Sequence, residues 1–271
     1  MTPSENTIVY ILVLWVFIYS VSAQSTAQAD QLMLQADDFK KTQQPDSAIV
    51  YYEKAAAAFH ESGNTEKLIN AYNQLGITLT RQDNYALAKS YLEKALSTGL
   101  ASLDSANLLM ATTYISLGVI YRAEENYTRS LMYHNKALSI RLLRLGEYSA
   151  DVATSYGNIG NVYLASGEYD KSVEAHAKAM AIREKLFGAS SPEIVESCKG
   201  LANAYREKKE YTTSLEYFEK ALKNKITQLG EGHKDVKKIY KNMSDVYYLA
   251  GNTQQGDLYK NKADEALKKQ E

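Results

Sequence analysis

Tyr156-Gly157-Asn158-Ile159-Gly160-Asn161-Val162-Tyr163-Leu164-Ala165-Ser166-Gly167-Glu168-Tyr169-Asp170-Lys171-Ser172-Val173-Glu174-Ala175-His176-Ala177-Lys178-Ala179 is the stretch that the rest of the chain copies. A step of 42 residues links Tyr72, Tyr114, Tyr156, Cys198 and Tyr240. The same step links Gly76, Gly118 and Gly160, and Tyr121, Tyr163, Tyr205 and Tyr247. It also links Tyr85, Tyr127, Tyr169 and Tyr211, and Ala95, Ala137, Ala179, Ala221 and Ala263. Within one copy, Tyr156, Ile159, Gly160 and Tyr163 recur at helical intervals and so share one face of a first helix, here called A. Gly160 and Ala179 are small where helix A must approach the second helix, B. No copy can bury its apolar face alone, so neighbours must stack.

The spacing aromatic-x2-aliphatic-small-x2-aromatic, then small-x3-bulky-x2-Ala, resembles the tetratricopeptide repeat. The 42-residue period, with Ile182-Arg183-Glu184-Lys185-Leu186-Phe187-Gly188 and an acid-aliphatic restart, looks like the kinesin-light-chain-type branch. The resemblance implies an all-α, right-handed solenoid of stacked helical hairpins, a superhelix preceded here by an N-terminal apolar segment. It leads to four segments: a signal peptide or anchor over 1–23, a degenerate repeat over 24–66, the array over 67–253 and a polar capping helix over 254–271. In the degenerate copy Pro45 replaces the turn aromatic and reads as a helix start. Glycine in the loops at Gly146, Gly188 and Gly230 suits a left-handed helix end.

Outside the array, Ile8 to Val21 is an apolar run shorter than the roughly 20 residues that span a bilayer. Val21-Ser22-Ala23 offers small residues for cleavage before Gln24, so an exported mature chain is expected, with an uncleaved membrane anchor as the alternative. Trp15 would leave with that segment.

Composition excludes several classes. A formal net charge of −1 over 271 residues gives no general affinity for nucleic acid. The single cysteine, Cys198, rules out an intramolecular disulfide and any multi-cysteine metal site. Zinc-protease, phosphate-loop and serine-hydrolase motifs are absent, so neither enzyme activity, cofactor, metal nor small-molecule substrate is expected. His134 and His176 occupy one slot of helix B, where packing with one satisfied nitrogen is expected. Cys198 stands in a tyrosine slot and should be buried and inert. Most of the 22 tyrosines should point into the hairpin cores, Tyr248 excepted.

The resemblance implies a concave groove lined by helix A residues near the small slot. The candidate groove residues are Asn73, Ile115, Val119, Asn158, Asn161, Lys199, Asn203, Arg206, Lys238, Lys241 and Asn242. This set is apolar with amides in its N-terminal half and basic in its C-terminal half. It suggests a protein or peptide partner with an extended acidic or polar segment. Lys199, Asn203 and Asn242 match three positions of the terminal-carboxylate clamp known in the family. The alternatives are a structural adaptor in an envelope assembly, working through the convex face or ends, and the sensor arm of a regulatory system.

Overall fold

The computed structural model describes residues 26–104 and 106–268, and all regular structure among them is helical. The apolar run at 8–21, its cleavage site and Trp15 lie outside the described residues. Among the described residues no helix is long and apolar enough to cross a membrane. The helices alternate A and B: α1 over 26–41, α2 (Pro45–Glu61), α3 (Thr65–Thr80), α4 (Tyr85–Ser102), α5 (Leu108–Ala123), α6 (Tyr127–Leu145), α7 (Ala150–Ala165) and α8 (Tyr169–Phe187). A 3-10 turn at Pro192–Ile194 then leads into α9 (Val195–Glu207), α10 (Tyr211–Leu229), α11 (Lys234–Leu249) and α12 (Thr253–Lys268). The chain forms two compact units, divided within α5 between Ile120 and Tyr121.

In the first unit α2 packs on α3 and α3 on α4. Pro45 opens α2, where its missing N–H removes only a donor that the first helical turn leaves unpaired anyway. Tyr52, Phe59, Leu75 and Leu92 are fully buried between the helices. Gly76 is small of necessity, since a Cβ there would lie 2.5 Å from Leu92 Cγ.

In the second unit each helix from α6 to α12 packs on the next, and α7 also touches α9 directly. Val152, Ala179, Cys198, Phe218, Ile239 and Met243 are among its buried core. The small residue that opens helix B has a reason that periodicity alone does not show. The Ser172 hydroxyl donates to the Gly160 carbonyl (2.9 Å) and the Ser214 hydroxyl to the Ala202 carbonyl (2.7 Å), tying helix B to helix A. The last pair is as regular as the others: α12 packs on α11, Ala263 is buried, and Tyr259 stacks on Tyr247 with ring centroids 5.2 Å apart.

The A-to-B turns place one residue in the left-handed region at each copy: Gln43, Asp83, Glu125, Gly167, Lys209 and Gly251. Only two of the six are glycine, so the other four hold a conformation that costs an L-residue roughly 1–2 kcal/mol. The loop glycines differ from the left-handed cap expected of them. Gly146, Gly188 and Gly230 have φ of 76°, 88° and 79°, but ψ of 172°, 156° and 161°. That extended, positive-φ region is accessible essentially to glycine alone.

Candidate functional site

The A helices α7 and α9 lie side by side in the second unit with the B helix α8 behind them, and a pocket of about 460 Å³ opens where the three meet. Its volume falls in the range of small ligand-binding clefts, roughly 300–1,000 Å³. Helix α7 contributes Thr154, Gly157, Asn158 and Asn161, and helix α9 contributes Glu196, Lys199, Gly200 and Asn203. His176 and Arg183 of α8 complete the lining. The repeat period explains the pairing of the walls: Asn161 and Asn203 occupy equivalent slots, so stacking α9 on α7 sets their amides along one stripe.

Four of the sequence-derived groove residues, Asn158, Asn161, Lys199 and Asn203, therefore line one pocket. Among the described residues the side chains of Asn158, Asn161 and Asn203 make no hydrogen bond, although Asn158 and Asn203 are half-buried. Arg206, Lys238, Lys241 and Asn242 do not line this pocket. In the first unit Ile115 and Val119 are half-buried on α5. Asn73 has a different role from the one expected: it is fully buried, its amide donates to the Leu109 carbonyl (3.1 Å), and its oxygen accepts from the Thr113 hydroxyl (2.8 Å). It joins two helices and cannot offer itself to a ligand.

The basic character expected of the C-terminal groove residues is mostly neutralised. Lys199 meets Glu196 at 3.0 Å, Arg206 meets Glu207 at 2.8 Å, and Lys238 meets Asp235 at 4.0 Å. Each acid lies within three positions of its cation, and counting cations along a stripe overlooks such neighbours. Exposed pairs of this kind contribute little stability, but they do cancel local charge.

Arg183 is the cation that sequence reasoning missed, because it sits on helix B. It is half-buried, donating to the Ser197 hydroxyl and, at 3.4 Å, to the Thr154 hydroxyl. Burial lowers its pKa, and the charge of Glu196 opposes that shift. No carboxylate lies within ion-pair distance of it among the described residues.

His176 forms the floor. It is packed, as expected of its slot, but the expected satisfied nitrogen is absent: neither Nδ1 nor Nε2 has a hydrogen-bond partner. The cause is geometric. The ring lies between Gly160 of α7 and Gly200 of α9, where a Cβ would approach it to 2.7 and 2.3 Å, so helix backbone rather than side-chain donors surrounds it. Burial, with a smaller contribution from the Arg183 charge, depresses its pKa to about 4, so the ring is neutral at pH 7. His134, in the same slot, is also buried with Nδ1 unpartnered.

The remaining sequence candidates for chemistry are quiet. Cys198 is fully buried beside Met180 (Sγ to Sδ 3.9 Å), and burial pushes its thiol up to about 11. No group of three or more metal-ligating side chains occurs among the described residues. Tyr114, Tyr121 and Tyr240 are buried, whereas Tyr248 is exposed and donates to Asp257 at 2.6 Å.

The family model of the tetratricopeptide repeat matches residues 29–98, 109–185 and 193–263. Among solved structures, BtubC (BKLC) from P. vanneervenii superposes with a TM-score of 0.65 at 18% identity, covering 90% of each chain. The Podosopora anserina putative kinesin light chain with nearly identical TPR-like repeats gives 0.62 at 16% identity, over 75% of this chain and 98% of that one. The apo form of RapI gives 0.63 at 18% identity, over 89% and 98%. At these identities the likeness is one of fold. A search of curated proteins gave no match.

Proposed function

Because the chain belongs to the tetratricopeptide repeat family, we propose that it is a non-enzymatic binding module that holds an extended polar segment of a protein partner along α7 and α9 of its second unit. The observation that carries this reading is the set of three amides, Asn158, Asn161 and Asn203, that face one pocket without internal hydrogen bonds. An Asn side chain offers both donor and acceptor, so it can pair with successive peptide N–H and C=O groups without demanding particular side chains. Polar groups in a half-buried setting gain most from such partners.

Gly157 adds to this. It lines the pocket, a Cβ there would meet nothing within 4 Å, and glycine inside a helix is destabilising by roughly 0.5–1 kcal/mol. Internal packing does not require it, whereas close approach of a ligand backbone does. The charge pairing at Lys199, Arg206 and Lys238 favours a polar segment over one that is acidic throughout.

The test is selection from a random-peptide display library, followed by titration of the recovered peptides against wild type and an Asn158→Ala/Asn161→Ala/Asn203→Ala variant. Loss of binding in a variant of unchanged helicity supports the reading. Peptides that bind both proteins equally well would move the interaction to another face and favour the adaptor. We also propose export by residues 1–23, on the apolar run at 8–21 and the small residues before Gln24. Sequencing the N-terminus of protein purified from its native host decides between cleavage and retention of Met1.

A further inference from the structure

The hairpin of α7 and α8 breaks the period of the array at Ala175. Stepping by 42 residues, that slot reads Tyr91, Tyr133, Ala175, Tyr217 and Tyr259. In the copies on either side the tyrosine of this slot stacks on a tyrosine of helix A: Tyr133 on Tyr121 with ring centroids 5.4 Å apart, and Tyr217 on Tyr205 at 5.7 Å. Tyr259 in the last copy shows where such a ring sits, 5.2 Å from Tyr247 and 6.0 Å from Tyr240. The equivalents of those two are Tyr163 and Tyr156, which keep their places in α7 and lose the ring between them.

The lost ring leaves an opening. A pocket of about 250 Å³ lies between α6, α7 and α8, with Tyr156 and Tyr163 in its lining and the buried Leu138, Ile159 and Ala175 beneath. A cavity of roughly 150 Å³ admits benzene, so this one has the size of a single aromatic side chain. At about 3.6 residues per turn, Tyr156, Ile159 and Tyr163 lie on the opposite face of α7 from Asn158 and Asn161. The pocket is therefore separate from the amide-lined one.

The cation that accompanies the ring has stayed. Lysine follows this slot by three residues in each copy, at Lys94, Lys136, Lys178, Lys220 and Lys262. Where the ring is present the ammonium lies over it, at 5.8 Å for Lys136 on Tyr133, 5.3 Å for Lys220 on Tyr217 and 4.9 Å for Lys262 on Tyr259. Lys178 has only alanine at that place; it pairs with Glu174 at 2.7 Å and reaches across to Tyr156, 5.8 Å from the ring centroid. Two tyrosine rings, an apolar floor and a cation thus surround the space of one ring.

We propose that this pocket is a docking site for one aromatic side chain, tyrosine or phenylalanine, of a protein partner. The incoming ring completes from outside the stack that the neighbouring copies complete from within. An aromatic side chain fits better than an aliphatic one, because offset or edge contacts with two tyrosines, and a cation over the face, are available to a ring alone. The site goes beyond the peptide-binding reading of α7 and α9 and does not depend on it.

The test is a titration of the protein with N-acetyltyrosinamide, N-acetylphenylalaninamide and N-acetylleucinamide, following the methyl resonances of Ala175 and Ile159. A saturable shift with either aromatic amide, and none with the leucine amide, supports the site. Equal responses to all three, or none to any, overturn it, and wild-type protein alone decides this. If the same resonances move on dilution of the protein without any ligand, a second copy fills the slot and the assignment to a partner falls. Ala175→Tyr restores the ring of the neighbouring copies, so it should raise the melting temperature and abolish the response; a response that survives overturns the proposal. Lys178→Gln should weaken the aromatic amides by about two- to fivefold, and an unchanged affinity overturns the part given to Lys178.

Discussion

Replacing Gly160 with alanine adds one methyl group, yet the structure leaves no place for it. The new Cβ would sit 2.7 Å from Cδ2 and Nε2 of the buried His176 ring. The ring cannot retreat, because on its other side the backbone of α9 at Gly200 comes so close that a Cβ there would lie 2.3 Å from Nδ1. Overpacking of this kind costs about 1–3 kcal/mol. Helix propensity opposes it, since alanine is better than glycine in a helix by up to about 1 kcal/mol. The net expectation is a loss of about 1–2 kcal/mol, or about 2–8 °C in melting temperature for a chain of this size. The assay is thermal unfolding by circular dichroism of wild type, Gly160→Ala, His176→Ala and the double variant. In the His176→Ala background the ring is gone, and Gly160→Ala should become stabilising by about 0.5–1 kcal/mol, giving a coupling of about 1.5–3 kcal/mol across the cycle. Asn161→Ala, exposed and next in sequence, should stay within about 0.5 kcal/mol of wild type. The reasoning is refuted if Gly160→Ala raises the melting temperature equally in both backgrounds.

Lys209→Gly should stabilise by about 0.5–1 kcal/mol, because Lys209 holds φ of 64° in a turn where equivalent copies use Gly167 and Gly251; thermal melts of Lys209→Gly and Gly167→Ala should move in opposite directions. Gly188→Ala should destabilise by more than 1 kcal/mol, on the order of a strained backbone residue, since its φ of 88° and ψ of 156° admit glycine alone; chemical denaturation checks it. The histidines set a pH dependence. Burial holds His134 and His176 near pKa 4 in the fold against 6.5 unfolded, so between these values the unfolded chain binds more protons. Their contribution is complete above about pH 6.5 and is lost as pH falls toward 4, by up to about 3 kcal/mol for each. Melting temperature should therefore fall across that window, and less steeply in His176→Gln.

The period of 42 made the hairpins, the small slot and the buried Cys198 legible from sequence because each depends on local helical spacing repeated through the chain. The stripe on α7 and α9 that brings Asn158, Asn161, Lys199 and Asn203 to one pocket was legible in position for the same reason. Its electrostatics were not, because Glu196, Glu207 and Asp235 pair with the cations through rotamers and helix turns that a stripe does not record. Asn73 was misplaced because an amide at a groove slot looks the same whether it faces solvent or the neighbouring helix. Arg183 was passed over because helix B reads as a solvated face, and only the stacked structure brings it through to the pocket on α7 and α9. The signal that could have found it was present in Ser155 and Ser197, which follow Arg141 and Arg183 at the same distance.

An array makes its function visible where it departs from its own period, and the two glycines of α7 show how to separate the cases. Gly160 repeats Gly76 and Gly118, and its absent side chain is demanded by the helix behind it. Gly157 stands where the next copies have Lys199 and Lys241, and no packing atom lies within 4 Å of the place its Cβ would take. A helix that tolerates glycine without structural need gives up stability that alanine would recover, about 0.5–1 kcal/mol. If the opening serves close approach of a ligand backbone, Gly157→Ala must raise the melting temperature while weakening the peptides recovered on wild type, the trade expected of a binding residue. If it raises both stability and affinity, Gly157 is a neutral variation on α7 and the recognition surface lies with the side chains alone.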